Sequence, residues 1–331
     1  MPSRQLPFRA AAVALAAAGL LTACGASTPA DSGDNSSPST TAAALQIKDP
    51  SGHDVTVPGD IKAAVGFYTT DVDMLITLGI PLAKDQPIRG DSGYTTFPTF
   101  FPQEPLKDVT PFANYPEFNY EKVLDAEPDF ILSGLGYDTK IHDKLAAIAP
   151  TYTVNAFDGT SWKEHFKKTA SDLNRSEKYQ EWTDSYAAQA KAAHADIEAA
   201  GNADLTVASF GYFEGKANVA CYAGVQCDVF DALDLKVTPL SADPDLNITP
   251  EQFDKLKDVD AIWMPVGVGE TGQKELKETL ASLERTPLWK TLPFVKNNRI
   301  YSYEMEMTYG SPSGTTAFVE QVRKDLSEAK S

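Results

Sequence analysis

The chain has 331 residues, 42% of them hydrophobic and 23% charged, and a formal charge of −17. That length accommodates two ordinary domains, and the composition is that of a globular protein. So acidic a surface repels nucleic acid and anionic lipid and favours neutral or cationic ligands, although general solubility accounts for it equally well.

The N-terminus carries more information. Arg4 and Arg9 precede an apolar run at 10–21, too short to span a bilayer and shaped like a secretory signal. The run ends in "LTAC", which resembles the lipobox of bacterial lipoproteins. In those proteins the leader, here 1–23, is removed and the cysteine, here Cys24, is lipidated. A twin-arginine pair is missing, so export by the general route is expected. Without Arg4 and Arg9 the balance is 27 basic against 46 acidic residues, or −19. Residues 25–44, "GASTPADSGDNSSPSTTAAA", have little to bury and read as a flexible tether reaching on the order of 25 Å.

The folded part opens with "LQIKDPSGHDVTVP", two short alternating runs around a Pro-Ser-Gly turn, which predicts a hairpin. A strand at 63–67, a helix at 71–78 and a strand at 80–83 follow, then a long irregular loop rich in Pro, Phe and Gly. Next come a helix and strand within "NYEKVLDAEPDFIL" (119–132), a helix at 139–149 and a strand at 151–154. Such alternation predicts an α/β fold with a largely parallel sheet. After a short helix at 161–173, the segment 176–200 places Tyr179, Trp182, Tyr186, Ala190, Ala193, Ile197 and Ala200 at steps of three and four, with Gly201 as its stop. A helix of that length spans roughly 37 Å, more than one small domain needs. Alternation then resumes through 205–210, 228–233, 237–240, "ITPEQFDKLKDVDAIWM" (248–264) and 299–303, closing on a helix near 315–329.

The two quoted phrases share a design. Asn119 or Thr249 stands as helix cap, Glu121 or Glu251 follows two positions on, and a strand-like run ends each phrase. Two similar lobes, 45–174 and 202–331, joined by a rigid helix at 175–201, account for the repetition. Between them these stretches, with "DMLITLGIPL", "PTYTV" and "TPLWKTLPFVKNNRIYSY", resemble the class III, helical-backbone substrate-binding proteins of ABC importers. The resemblance runs from about Leu45 to the C-terminus. It implies two lobes closing modestly on ferric siderophore, haem or cobalamin, no catalysis, a monomer, and permease subunits as partners. The residues agree on the enzyme question: there is no G-x-S-x-G elbow, no H-E-x-x-H, and "GSPSGTT" lacks the Walker lysine. Cys221 and Cys227, in "CYAGVQC", can close a seven-residue disulfide loop outside the cytoplasm, against the alternative of two free thiols. The four histidines, His53, His142, His165 and His194, are scattered, and each reads as a surface residue rather than a zinc or manganese ligand.

Ligands of open α/β lobes bind beyond the carboxyl ends of the strands. Tyr68 and Tyr137 occupy such positions in the first lobe; Tyr212, Phe213, Trp263, Tyr303 and Tyr309 do so in the second, with Met264 and Tyr301 beside them. The loop "QPIRGDSGYTTFPTFF" adds Arg89 and Tyr94, with Phe97, Phe100 and Phe101, of which the last two read as core. A trianionic ferric tris-catecholate needs several basic groups, and only Arg89, Lys140 and Lys216 stand near strand ends. A neutral or cationic ferric hydroxamate needs an aromatic bowl with one or two donors. By location, Arg89 resembles the single arginine that hydroxamate-binding relatives use, with Tyr94 as second donor. Haem, with a tyrosine on iron, is the runner-up, and cobalamin comes third. Iron enters only as part of the ligand, with no resident cofactor. In relatives one glutamate from each lobe docks on permease arginines, and Glu121 and Glu251 fall at those places, with Glu117 the alternative for the first.

Overall fold

The computed structural model describes residues 43–91, 93–221 and 224–328. The leader, Cys24 and the first eighteen residues of the tether lie outside the described residues. Strands β1 (Leu45–Lys48) and β2 (Asp54–Val57) form the expected antiparallel hairpin. Next come β3 (Ala64–Gly66), α1 (Thr69–Thr77), β4 (Asp85–Ile88), β5 (Thr110–Ala113), α2 (Tyr120–Asp125), β6 (Phe130–Ser133), α3 (Thr139–Ala146), β7 (Thr151–Thr153) and α4 (Trp162–Asp172). A parallel sheet of order β3-β6-β7 carries the first lobe, and β4 and β5 make a separate parallel pair.

That pair corrects the sequence expectation. The strand expected at 80–83 is reduced to a single bridge from Leu82 to Ala64, and the "irregular" stretch after it contains β4 and β5. The reason is Gln86. Its fully buried amide accepts the N–H of Gly66 at 3.0 Å and donates to the carbonyls of Ala64 (2.7 Å) and Ala83 (3.3 Å). A side chain thus occupies the edge of β3 that a further strand would otherwise fill, and hydrophobic alternation does not register that.

Helix α5 (Ser176–Ala199) buries Tyr186, Ala190, Ala193 and Ile197, as its spacing predicts. Near its start, Tyr179, Trp182 and Tyr186 interlock with Trp162 and Phe166 of α4 at ring separations between 5.4 and 6.3 Å. Beyond it follow β8 (Thr206–Ser209), β9 (Gly211–Phe213), β10 (Lys216–Asn218), α6 (Val225–Ala232), β11 (Lys236–Val237), β12 (Ala261–Val266), α7 (Gly269–Leu283), α8 (Pro293–Lys296), β13 (Ile300–Glu304) and α9 (Pro312–Ser327). A second parallel sheet, order β11-β8-β12-β13, carries this lobe. The mixed α/β fold with two largely parallel sheets and a long helix between them is as the sequence predicts. Three details differ. The β9–β10 hairpin turns through Glu214 and Gly215, both at positive φ, and "EG" is a weak turn signal. Helix α7 was not anticipated. The second phrase forms a 3₁₀ helix (Pro250–Leu256), opened by Pro250 and by the capping box of Thr249 with Gln252.

The N-terminus of α9 is seated against the first lobe. Ser311 caps it, its Oγ accepting the N–H of Gly314. Buried Asp73 of α1 accepts the N–H of Ser313 at 2.7 Å, and Trp182 Nε1 donates to the carbonyl of Pro312 at 3.3 Å. Gly310, at φ +77°, presses on Trp162 so closely that a β-carbon would lie 2.6 Å from the indole.

Cys221 and Cys227 are joined by a disulfide ahead of and within α6. Closing a loop of this size removes unfolded-chain entropy worth roughly 2 kcal/mol. The Cys221→Ser/Cys227→Ser double variant is therefore expected to lose about that much stability in urea unfolding, with no free thiol at either position in the non-reduced wild type.

Candidate ligand-binding site

A cavity of about 560 Å³ opens where the carboxyl ends of β3, β6 and β7 face the 309 segment, within the usual size range for small-molecule sites. Tyr68, Arg89, Tyr115, Tyr137, Phe157 and Tyr309 form its walls, with Thr70, Gly134, Leu135 and Ala156 between them. A groove of about 670 Å³ runs along α5 and α9, but none of the expected ligand residues lines it.

Buried carboxylates and amides set the walls. Asp71 accepts the N–H of Tyr68 at 2.9 Å and that of Gly134 at 3.1 Å, so one side chain ties the start of α1 to the loop after β6. Burial pushes its carboxyl up to about 7, against the pull of those two donors. Asn114 donates to the carbonyl of Phe67 at 2.7 Å and accepts the N–H of Asn119 at 2.7 Å, which holds Tyr115 between them. Tyr68 meets Tyr115 and Tyr309 edge-on, with interplanar angles of 88° and 90°, and Tyr137 meets Phe157 at 84°. Tyr137 and Phe157 are more than half exposed, so the rim is apolar and open.

Arg89 is the hub. Its guanidinium lies 4.6 Å from the Tyr115 ring and 4.3 Å from the Tyr309 ring, and donates to the hydroxyl of Tyr68. Its other edge is held by Asp91 through bonds of 2.6 and 2.9 Å. Behind it stands buried Glu306, with Oε1 at 4.0 Å from Nε. Burial pushes the Glu306 carboxyl up to about 8, more strongly than Arg89 pulls it down. Lys140 and Lys216 are exposed and do not line the cavity, so among the described residues Arg89 is its one cation, and Asp91 already balances it.

Of the expected ligand residues, the fold brings together Tyr68, Arg89, Tyr137 and Tyr309. The others stand elsewhere. Tyr94 is buried and its hydroxyl donates to Glu304 at 2.6 Å; it braces the 90s loop on β13 and is not a donor to the cavity. Trp263 is wholly buried, with Nε1 bonded to Asp325 and its ring on Tyr301. Tyr303 is buried against Phe318, with its hydroxyl on Gln226, and Met264 is also core. The corrections for Trp263 and Tyr303 have one cause: helix α9 covers this face of the second sheet, with Phe318 on the Tyr303 ring and Asp325 holding the Trp263 indole. Tyr212 packs on the second-lobe core, and Phe213 is 79% exposed on the β9–β10 hairpin, outside the cavity walls. Tyr115 and Phe157 were missed. Each lies just beyond the carboxyl end of a strand, β5 and β7, so the strand-end rule finds Tyr115 once β5 is recognised.

Of the four histidines, expected at the surface, His165 departs from that placement, and His53, His142 and His194 are half-buried. His165 is buried and bonded to Asp158, His194 Nδ1 lies 2.8 Å from the Leu233 carbonyl, and His53 stacks on His142.

Residues 65–306 match the family model described as "Periplasmic binding protein". The chain belongs to that family. A curated relative, the "Probable siderophore-binding lipoprotein YfiY" of Bacillus subtilis, is 28% identical over 170 residues, 51% of this chain; the match spans about half of that relative's length. Staphylococcus aureus SirA, solved with staphyloferrin B, superposes with a TM-score of 0.66 at 18% identity, over 85% of this chain and 98% of its own. FhuD2 of the same organism, solved with ferrioxamine B, gives 0.61 at 19%, over 81% and 99%. Likeness at that identity establishes the shared fold.

Glu306 generates a pH prediction. Its folded value, about 8, lies above the ordinary 4.5, so its contribution to stability is full below 4.5 and lost as pH rises through 8. Glu306→Gln should match the wild-type melting temperature near pH 5 and exceed it at pH 9. Equal melting temperatures at pH 9 would show that burial does not hold the proton.

Proposed function

We propose that this chain is the substrate-binding component of an ABC importer that captures a ferric siderophore, most readily of the hydroxamate type. It works outside the cytoplasm, tethered through lipidated Cys24, as a non-catalytic monomer carrying iron only within its cargo. The carrying observation is the charge of the cavity: an aromatic bowl whose one arginine, among the described residues, is already paired with Asp91. A trianionic tris-catecholate entering it would meet no surplus positive charge, inside a chain of −17. A neutral or cationic hydroxamate complex loses little on desolvation and gains ring contacts and the arginine's hydrogen bonds. The family supports the transport role, as do the siderophores in the names of the relatives.

Quenching of intrinsic fluorescence by ferrioxamine, ferrichrome, ferric enterobactin and haemin tests this directly. Hydroxamates should bind tightest, and Arg89→Ala should weaken them ten- to a hundredfold, as expected for a charge-assisted hydrogen bond worth roughly 1.5–3 kcal/mol. Nanomolar enterobactin or haemin with no ferrioxamine binding would overturn the hydroxamate reading.

Glu121 and Glu251 are proposed as the permease contacts. Both are exposed, and both stand second after a helix cap. The main cap bonds are made by neighbours: Asn119 accepts the N–H of Lys122 at 3.0 Å, and Gln252 reaches back to the N–H of Thr249, while Glu251 adds contacts to its own N–H and the Thr249 hydroxyl. Replacing both glutamates by alanine should leave siderophore affinity and melting temperature nearly unchanged while uptake by cells is lost. Wild-type uptake in the double variant would remove the docking role and bring Glu117, also exposed, forward.

A further inference from the structure

The β1–β2 turn folds over α3 and the end of β7, and there Asp49, His53 and His142 converge. One ligating atom of each lies within 4.8 Å of the others, the only such grouping of three His, Cys, Asp or Glu side chains among the described residues. Asp49 is 3% exposed, and no Lys or Arg reaches its carboxylate among the described residues. Instead it accepts the N–H of His53 at 2.8 Å and that of Thr153 at 2.9 Å, and its Oδ2 lies 3.1 Å from His53 Nδ1. The two imidazoles stack face to face, 3.4 Å apart and 7° from parallel. Both are half-buried, with the His53 side chain 31% accessible, so solvent reaches the cluster.

We infer that Asp49, His53 and His142 form a binding site for a divalent transition-metal ion of the zinc and copper class, separate from the cavity. Two imidazole nitrogens and one carboxylate oxygen suit Zn²⁺, Cu²⁺, Ni²⁺ or Co²⁺; Mg²⁺ and Ca²⁺ prefer sets made of oxygen alone. The supporting contacts are in place. Thr153 serves two ligands at once, its N–H on Asp49 and its Oγ1 2.8 Å from His142 Nδ1, which fixes that ring and leaves Nε2 for a metal. A buried carboxylate with no Lys or Arg partner among the described residues gains charge compensation from the ion. Ligand atoms around a zinc with bonds of about 2.0 Å sit roughly 3.3 Å apart. Capture therefore draws the three inward and turns the accessible His53 ring out of the stack, since each nitrogen lone pair lies in its ring plane. The same turn carries Ser51, packed so closely on Gly136 that a β-carbon there would lie 2.6 Å from its hydroxyl. Gly136 precedes Tyr137 of the cavity rim, so a bound ion would brace the turn behind that wall.

The test uses the tag-free mature chain. Calorimetry with ZnCl₂ should give one ion per chain, and His53→Gln and His142→Gln should each weaken it at least tenfold, with Thr153→Val intermediate. Cu²⁺ titrated into the wild type should show superhyperfine coupling to two imidazole nitrogens by electron paramagnetic resonance, falling to one in each histidine variant. Absence of stoichiometric zinc uptake at micromolar concentration would overturn the site, as would uptake unchanged in both histidine variants. Should the variants melt far below the wild type, the wild-type copper spectrum decides: a two-nitrogen signal supports the site, and an oxygen-only signal refutes it.

Discussion

The structure turns on one buried carboxylate. Asp73, on the first helix of the first lobe, is fully buried and aimed at the N-terminus of the last helix, where it accepts the N–H of Ser313. A helix N-terminus has unsatisfied donors and a partial positive charge, so a carboxylate placed there is stabilised while an apolar side chain would leave the donors stranded. Desolvation raises the affinity of Asp73 for a proton, and the hydroxyls of Ser313 and Ser311 oppose it. Trp162 and Trp182 close around the same turn of chain. The cavity depends on this junction, because Tyr309, three residues before α9, is set by it against Arg89 and Tyr68.

The cavity inherits its electrical character from what is buried behind it. Arg89 lies between two tyrosine rings with Asp91 on one edge, and Glu306 is held toward its neutral form by burial. Neither acid could be moved to the rim without changing the charge that a ligand meets. Tyr94 and Glu304 form a second link between lobes beside this group, again through a buried side chain. Burial also lifts the tyrosine hydroxyls of Tyr68 and Tyr94 well above their ordinary range, so both remain proton donors rather than phenolates at any physiological pH. The result is a bowl of rings with one balanced cation.

Much of this was legible along the chain. Helix α5 was read to within a residue at each end, because its apolar spacing is sustained and its stop is a glycine. Strand β6 follows an apolar run and β7 a run of β-branched and aromatic residues, each between clear breaks. The rule that ligands sit beyond strand ends picked out Tyr68, Tyr137 and Tyr309, which line one cavity together with Arg89 from the loop. It failed for Trp263 and Tyr303 because a residue's place on a strand does not say which of its faces another layer covers. Helix α9, packed over the second sheet, turns both into core.

By itself, then, the amino-acid order determined local periodicity, caps and stops, and with them two α/β lobes and a long linking helix. Those features arise from interactions between near neighbours, which leave a period or a signature residue behind. Only the tertiary structure decided which aromatics face solvent, that Gln86 replaces a strand, that Arg89 is already paired, and that His53 meets His142 from 89 positions away. Each of these is a contact between segments far apart in sequence, made by a single side chain whose partner is chosen by packing, and one side chain has no period to read.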